Sequence, residues 1–259
     1  MSLRDLWHPR MRPSFLIVGA QKAGTSALFT LLASRPGVRP PTTKEIHFFD
    51  RDDLYAHGWG WYMRHFPRRE KGGITFEATP NYLYVPEAPG RIARHLPHAR
   101  LVMVLRDPVR RAFSAWNMYH AFEGHPRFAH LYDPRSFAQA VEEELAGRPT
   151  HRALRYLARG HYAPQVQRYA DLFPREQILV LSYADLKLRQ LDTLNKLTAF
   201  VGLPGFTAGE PVLATRANER PYTAPLDPAL QERLRAHFAP LHAELERLLG
   251  APIDLDEAR

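Results

Sequence analysis

Residues 15–32 read FLIVGAQKAGTSALFTLL, and this stretch decides the fold. Phe15–Val18 is an unbroken apolar run of the length of a buried strand. Ser26–Leu32 places Leu28, Leu31 and Leu32 on one side of a helix. Between them lies Gly19-Ala20-Gln21-Lys22-Ala23-Gly24-Thr25-Ser26. A strand, a loop with glycines at 19 and 24 and a hydroxyl-rich helix start have the spacing of a phosphate-binding loop. Glycine lets the backbone turn tightly, and the free N–H groups at the helix start hold an anion with help from the helix dipole. Gly19, Gln21, Lys22, Ala23, Gly24, Thr25 and Ser26 are therefore the candidate anion-binding residues. One departure is informative. A nucleoside triphosphatase has its lysine directly after the second glycine; here that place is Thr25, and the lysine is Lys22, inside the loop. Such a loop can cradle a 5′-phosphate while Lys22 reaches what is attached to it. The alternative is a plain glycine turn with a surface lysine.

Further apolar runs at Ile74–Phe76, Leu101–Leu105 and Ile178–Leu181 read as buried strands. Helical spacing recurs at Val109–Met118, Phe137–Leu145 and Leu191–Val201. A last helix starts at Asp227-Pro228, an N-cap followed by proline at the first position, and Pro240 should kink or split it. Strands alternating with helices predict an α/β fold, a P-loop-like parallel β-sheet flanked by helices on both faces. The expected organisation is a single domain over 1–259, with 1–13 as an N-terminal extension and 119–150 as an acceptor-side lid.

Composition narrows the class. The chain has 259 residues, a length that supports one sizeable core. No apolar run approaches the roughly 20 residues that span a bilayer. Arg4, Arg10 and Arg12 are followed by no apolar stretch, so no secretory signal is expected. Cys is absent, which excludes a disulfide scaffold, a thiolate metal site and cysteine nucleophilic catalysis. The net charge of +8 comes from 35 basic residues, only five of them lysine, and 27 acidic ones. An excess of cations points to anionic ligands, or else to an arginine-rich solvated surface.

Three more segments carry chemistry. In Thr43-Lys44-Glu45-Ile46-His47-Phe48-Phe49-Asp50, an extended backbone over Lys44–Phe48 would put Glu45 and His47 on one face. A carboxylate and an imidazole beside a bound anion are candidates for proton abstraction. A glutamate of ordinary pKa is a weak base, so burial would help it; a partly buried ion pair is the alternative reading. In the segment 73–84, Glu77, Thr79, Tyr82 and Tyr84 would lie at or beyond a strand's carboxyl end, where they either line an acceptor pocket or simply pack. Leu101–Leu105 ends in Arg106-Asp107-Pro108. The guanidinium fork of Arg106 suits phosphate, and Ser114, about two helical turns on, could donate to the same group. A nucleotide hydrolase would end this strand in an acid for magnesium. No metal ligand set is evident.

Taken together, G-A-Q-K-A-G-T-S-A-L, K-E-I-H-F-F-D, E-A-T-P-N-Y and L-R-D-P-V-R-R-A-F-S resemble sulfotransferases that use 3′-phosphoadenosine 5′-phosphosulfate (PAPS), in the style of the heparan-sulfate N-/O-sulfotransferases and their bacterial relatives. Arg159-Gly160-His161-Tyr162 through Gln177 is similar to that family as well, and the similarity runs over roughly residues 14–250. The resemblance implies transfer of a sulfuryl group to a hydroxyl or amine. It implies that Gly19–Ser26 holds the 5′-phosphosulfate, with Lys22 on the bridging oxygen. Arg106 and Ser114 would bind the 3′-phosphate, and Tyr162 would lie near the nucleotide. Glu45 would be the general base with His47 beside it. The family's late Lys-Gly-Arg loop reads Asn218-Glu219-Arg220 here, so only Arg220 carries over. The family's lysine after the third-strand glutamate is Ala78, which removes a cation that helps hold acidic glycans.

The expected activity is thus in-line sulfuryl transfer from PAPS, leaving adenosine 3′,5′-bisphosphate, to a small-molecule, glycan or lipid acceptor. No metal and no nucleic-acid partner is expected, and the location expected is the cytoplasm. The alternatives are a P-loop nucleotide kinase or triphosphatase and a non-catalytic nucleic-acid-binding protein. The displaced lysine and Arg106 weigh against the first. The lack of a basic stretch interleaved with aromatics weighs against the second.

Overall fold

A computed structural model describes residues 9–148, 151–214, 222 and 225–257. The described residues form four strands, β1 (Phe15–Gly19), β2 (Phe76–Ala78), β3 (Arg100–Leu105) and β4 (Ile178–Ser182). The helices are α1 (Thr25–Ala33), α2 (Asp52–Tyr55), α3 (Trp59–Met63), α4 (Ala88–His95), α5 (Pro108–His120), α6 (Phe137–Leu145), α7 (Tyr162–Ala170), α8 (Tyr183–Leu188), α9 (Gln190–Val201) and α10 (Pro228–Leu249).

The strands make one parallel sheet in the order β2-β1-β3-β4. Phe15 pairs with Phe76 on one side of β1, Leu16 with Leu101 on the other, and Leu101 in turn with Ile178. All five residues of β1 are buried, as apolar strands covered on both faces must be. The chain leaves β1 toward β2 on one side and returns to β3 on the other. Such a switch point lies at the carboxyl ends of the strands, where open α/β sheets bind ligands, and the Gly19–Ser26 loop follows β1 there.

β2 begins two residues later than the apolar run suggests. Ile74 makes a separate parallel bridge with Val38, and its N–H donates to Gly37 O at 2.9 Å, so it does not join β1. Glu77 consequently stands inside the strand opposite Leu16, not beyond its carboxyl end.

Two compact units make up the chain, Met1–Leu105 with Gln165–Asn218 and Arg106–Pro164 with Glu219–Arg259. The first contains the sheet. Phe15 stacks on Phe76 at 4.8 Å, and Phe29 of α1 leans on Phe76 at 5.1 Å. A second aromatic group, Phe48, Phe49, Tyr62 and Tyr82, is fully buried. Residues 9–13, expected within an extension, pack onto this unit. Met11 is buried, and the Arg10 guanidinium donates to Phe66 O at 2.9 Å.

The second unit has its own core of Val109, Phe113 and Trp116 from α5, Phe137 and Val141 from α6, and Leu230, Leu234 and Phe238 from α10. Part of the segment expected as a lid belongs to this core, including Phe122, and Asp133 is buried and accepts from Tyr156 Oη of the core at 2.8 Å. The start of α10 is capped as its sequence suggests: the Asp227 side chain accepts from Ala229 N, and Pro228 takes the first position. α10 continues unbroken through Pro240. Pro240 and Ala236 both lie on the exposed side, so water can satisfy the carbonyl that proline leaves unpaired.

Candidate active site

The loop after β1 has the geometry that its glycines suggest. Gly24 caps α1 at φ +81°, in the left-handed region, with no side-chain cap hydrogen bond. A Cβ at Gly24 would stand 2.8 Å from Tyr183 Cε2, and one at Gly19 would stand 2.8 Å from Leu83 Cδ2. Ala20 N donates to Val104 O at 2.7 Å, which ties the loop to β3. Thr25 is buried, Ser26 half-buried, and Lys22 sits at φ +68°. Glycine is thus required at both positions by the close approach of Leu83 and Tyr183, and the free N–H groups of the helix start after Gly24 form the kind of end that binds anions.

The Lys44–Phe48 segment is not a strand. Glu45 and His47 stand at φ +60° and +57°. Lys22, Glu45 and His47 are therefore three left-handed non-glycine residues, and each such conformation costs on the order of 1–3 kcal/mol unless its surroundings enforce it. The alternation that was to bring Glu45 and His47 together does not exist. They meet because the chain curls, with His47 Nε2 3.6 Å from Glu45 Oε2. The curl also brings in Asp50, whose Oδ2 lies 3.0 Å from His47 Nδ1, while the Lys44 ammonium contacts Glu45 Oε1. Asp50 is three residues from His47, an odd spacing that an extended strand would have sent to the other face. A strand assumption could not have found it.

Charge follows from this packing. Burial pushes the Glu45 carboxyl up, as expected, but hydrogen bonds and charge from His47 and Lys44 outweigh it and hold the pKa at about 2. Burial pulls His47 down, but the flanking carboxylates of Asp50 and Glu45 raise it to about 9. Near neutrality Glu45 is an anion and His47 a cation. The expectation that burial would make Glu45 a stronger base is thereby corrected: its cationic neighbours win. About a third of each side chain remains exposed, so solvent screens the pair.

Glu77, Thr79 and Tyr82 have no accessible surface and bond to one another. Glu77 accepts from Tyr62 Oη at 2.5 Å, Tyr82 Oη at 2.6 Å and Thr79 Oγ1 at 2.7 Å. Burial raises its pKa against these three donors. Buried in this way, the three do not line an open acceptor pocket. Tyr84 alone of the four is half-buried. Tyr62, absent from the sequence reading, comes from α3 with no local motif to signal it.

In the second unit, Asp107 caps α5 by accepting from Arg110 N at 2.7 Å, with Pro108 at the first helical position as expected. Ser114 is buried on α5. Tyr162 is buried and donates to Arg106 O at 2.9 Å, so it fixes the backbone that carries the arginine. The Arg106 guanidinium forms an ion pair with Glu257, which follows α10. A cavity of about 220 Å³ beside it is lined by Arg106, Arg110, Phe113, Tyr222, Leu226 and Gln231. Arg220 lies outside the described residues.

Among the described residues no three of His, Asp and Glu converge as a metal site would require, and no helix is long and apolar enough to cross a membrane.

Comparison with known proteins bears on the fold and the family. A bacterial structure, the sulfotransferase from Alicyclobacillus acidocaldarius, superposes with a TM-score of 0.75 at 29% identity, covering 94% of this chain and 98% of that one. Mouse sulfotransferase SULT7A1 complexed with PAP shares the fold, with a TM-score of 0.56 at 17% identity over 92% of this chain and 86% of that one. The heparan sulfate glucosamine 3-O-sulfotransferase 6 of Mus musculus is 30% identical over 95% of this chain and 75% of its own length. The bifunctional heparan sulfate N-deacetylase/N-sulfotransferase 3 of Homo sapiens is 31% identical over 80% of this chain, and the match spans only 25% of that much longer protein. The family model for the sulfotransferase domain matches residues 12–213, most of the chain. The chain thus belongs to the sulfotransferase family.

Proposed function

We propose that the protein transfers a sulfuryl group from PAPS to a hydroxyl or amine of a small-molecule, glycan or lipid acceptor, with Glu45 as the general base. The observation that carries this reading is the Gly19–Ser26 cradle with a lysine inside it, on the same unit as an ionised Glu45 flanked by Lys44 and His47. The left-handed Gly24 cap at the N-terminus of α1 fits a phosphate-sized anion held by backbone N–H groups.

When bound, PAPS supplies a sulfuryl group activated by its link to a phosphate. Gly19–Ser26 would hold the 5′ end through backbone N–H groups and the hydroxyls of Thr25 and Ser26. Lys22 would neutralise charge developing on the leaving oxygen, where a fixed cation acts without reorganising. Arg106 and Ser114 would take the 3′-phosphate, with Tyr162 holding Arg106 by its carbonyl. Glu45, an anion near neutrality, would accept the acceptor's proton. A carboxylate held near pKa 2 is a poor base for a free alcohol. An alcohol becomes strongly acidic as its oxygen bonds to sulfur, so the proton would pass late, when even a weak base suffices. His47, protonated, donating to Asp50 and ion-paired with Glu45, orients the carboxylate and is not itself the base.

Two relatives act on heparan sulfate by name, which favours a glycan among the acceptor classes. Ala78, in place of the family's lysine, favours one less acidic than heparan. A cytoplasmic location, where PAPS is made, belongs to the same proposal. The triphosphatase alternative is not favoured, because Thr25 occupies the place of its lysine.

Incubation with sulfur-labelled PAPS and panels of sugars, phenols and lipids should yield a labelled product without added magnesium. Calorimetry should show binding of adenosine 3′,5′-bisphosphate. A protein that binds no bisphosphate overturns the reading.

A further inference from the structure

The turn carrying Glu45 and His47 is left-handed at both residues, so something must enforce it. Its own side chains do not suffice, because Glu45, Lys44 and His47 are all partly exposed. The restraints come from the exit of β2. Glu45 N donates to Ala78 O at 3.2 Å, the Asn81 amide donates to the Asp50 carboxylate, and Phe48 N donates to Tyr82 Oη at 3.1 Å. The last of these is the central one, since Phe48 directly follows His47 and both partners are buried.

Tyr82 is itself fixed at three points. Its hydroxyl donates to Glu77 Oε1, its ring meets Phe49 edge-on at 5.4 Å, and its carbonyl accepts from Tyr169 Oη at 2.9 Å. A tyrosine hydroxyl has one proton to give. With that proton committed to Glu77, its lone pairs face the Phe48 N–H. The carboxylate therefore sets the polarity of the chain Glu77–Tyr82–Phe48. Tyr62 donates to the other oxygen of Glu77 but holds no amide of the turn.

We propose that Tyr82 is a positioning residue for the base: backed by buried Glu77, its hydroxyl holds the Phe48 N–H and so enforces the left-handed turn that presents Glu45 and His47. This rests on the reading of Glu45 as the base. It differs from the acceptor-lining role expected from the sequence, which complete burial of Tyr82 opposes.

Tyr82→Phe and Tyr62→Phe form a matched test, since each removes one buried hydroxyl from the same carboxylate and only one of them reaches the turn. Three quantities separate them: kcat at saturating PAPS, the Kd for adenosine 3′,5′-bisphosphate, and the His47 titration followed by NMR. Tyr82→Phe should lower kcat at least tenfold with the bisphosphate Kd within twofold of wild type. In it the His47 pKa should fall from about 9 toward its ordinary value as the ring leaves Asp50 and Glu45. Tyr62→Phe should keep kcat within threefold and leave His47 in place. Equal kcat and equal His47 titration in the two variants overturn the proposal. Should Tyr82→Phe fail to fold, amide exchange in the native protein decides: the Phe48 amide should be protected like the β1 amides, and rapid exchange overturns the proposal. Glu45→Gln separates the two claims. Full activity in that variant overturns the base reading, while the His47 titration still decides the role of Tyr82.

Discussion

Glu257 closes on Arg106 through two bonds, Nε to Oε1 at 2.5 Å and Nη2 to Oε2 at 3.2 Å, with the two side chains 11% (Arg106) and 3% (Glu257) exposed. A carboxylate thus occupies the guanidinium fork that the functional reading assigns to the 3′-phosphate. The two anions compete for one cation, and phosphate, with more charge and more acceptor oxygens, is the stronger partner. Glu257→Gln keeps the shape and removes the charge. It should tighten adenosine 3′,5′-bisphosphate binding about tenfold, equivalent to ~1.4 kcal/mol, while lowering Tm by a few degrees because a nearly buried cation loses its partner. Unchanged or weaker binding by calorimetry would show that the pair is purely structural.

Replacing the proposed base and the cradle lysine should separate chemistry from binding. Glu45→Gln should lower kcat by roughly 10²-fold or more, the scale of a lost general base, with little change in bisphosphate affinity. Lys22→Ala should lower kcat by about 10²-fold, as for a lost preorganised charge. If Glu45→Gln remains active and His47→Asn is dead, the two roles are reversed.

The glycine positions should tolerate no Cβ. Gly24→Ala would place a methyl against Tyr183 and hold a left-handed φ without glycine's freedom. The expected cost is roughly 1–3 kcal/mol from the backbone conformation, with the clash added. The measurable outcome is a lowered Tm together with loss of bisphosphate binding. A variant with wild-type affinity would show that the cradle does not hold the anion.

The pH dependence follows from the two shifted groups. His47 is raised from 6.5 to about 9, so its contribution to stability is complete below pH 6.5 and is lost as pH rises through about 9. Glu45 is lowered from 4.5 to about 2, so its contribution is present above pH 4.5 and is lost as pH falls through about 2. The kcat/KM profile of the free enzyme should therefore fall on the alkaline side near pH 9, as His47 loses the charge that pairs it with Glu45 and Asp50. Asp50→Asn removes the carboxylate on Nδ1 and should move both this limb and the NMR titration of His47 to lower pH. An unmoved titration would show that Asp50 does not raise the histidine.

Local pattern and spacing carried much of this protein. The apolar runs at 15–18, 101–105 and 178–181, the glycines at 19 and 24, and the Asp107-Pro108 and Asp227-Pro228 helix starts are signals confined to a few residues. They are legible because strand burial, loop geometry and capping are short-range physics. The same holds for the parallel α/β sheet, which follows from strands alternating with helices. What the tertiary structure alone decided is how Glu45 and His47 come together and which charges they carry. The turn at 45–48 is left-handed against local preference, and residues 30 or more positions away, Ala78, Asn81 and Tyr82, hold it there. Burial by itself would have raised the Glu45 pKa; the sign is set by Lys44 and by a histidine that Asp50 keeps charged. Glu77 and Tyr82, legible only as polar residues near a strand end, became a buried support once Ile74 paired with Val38 and shifted β2 along the chain. The meeting of Glu257 with Arg106, 151 residues apart, had no signal in either segment. Such contacts depend on chain closure over long separations, and no window of sequence contains both ends.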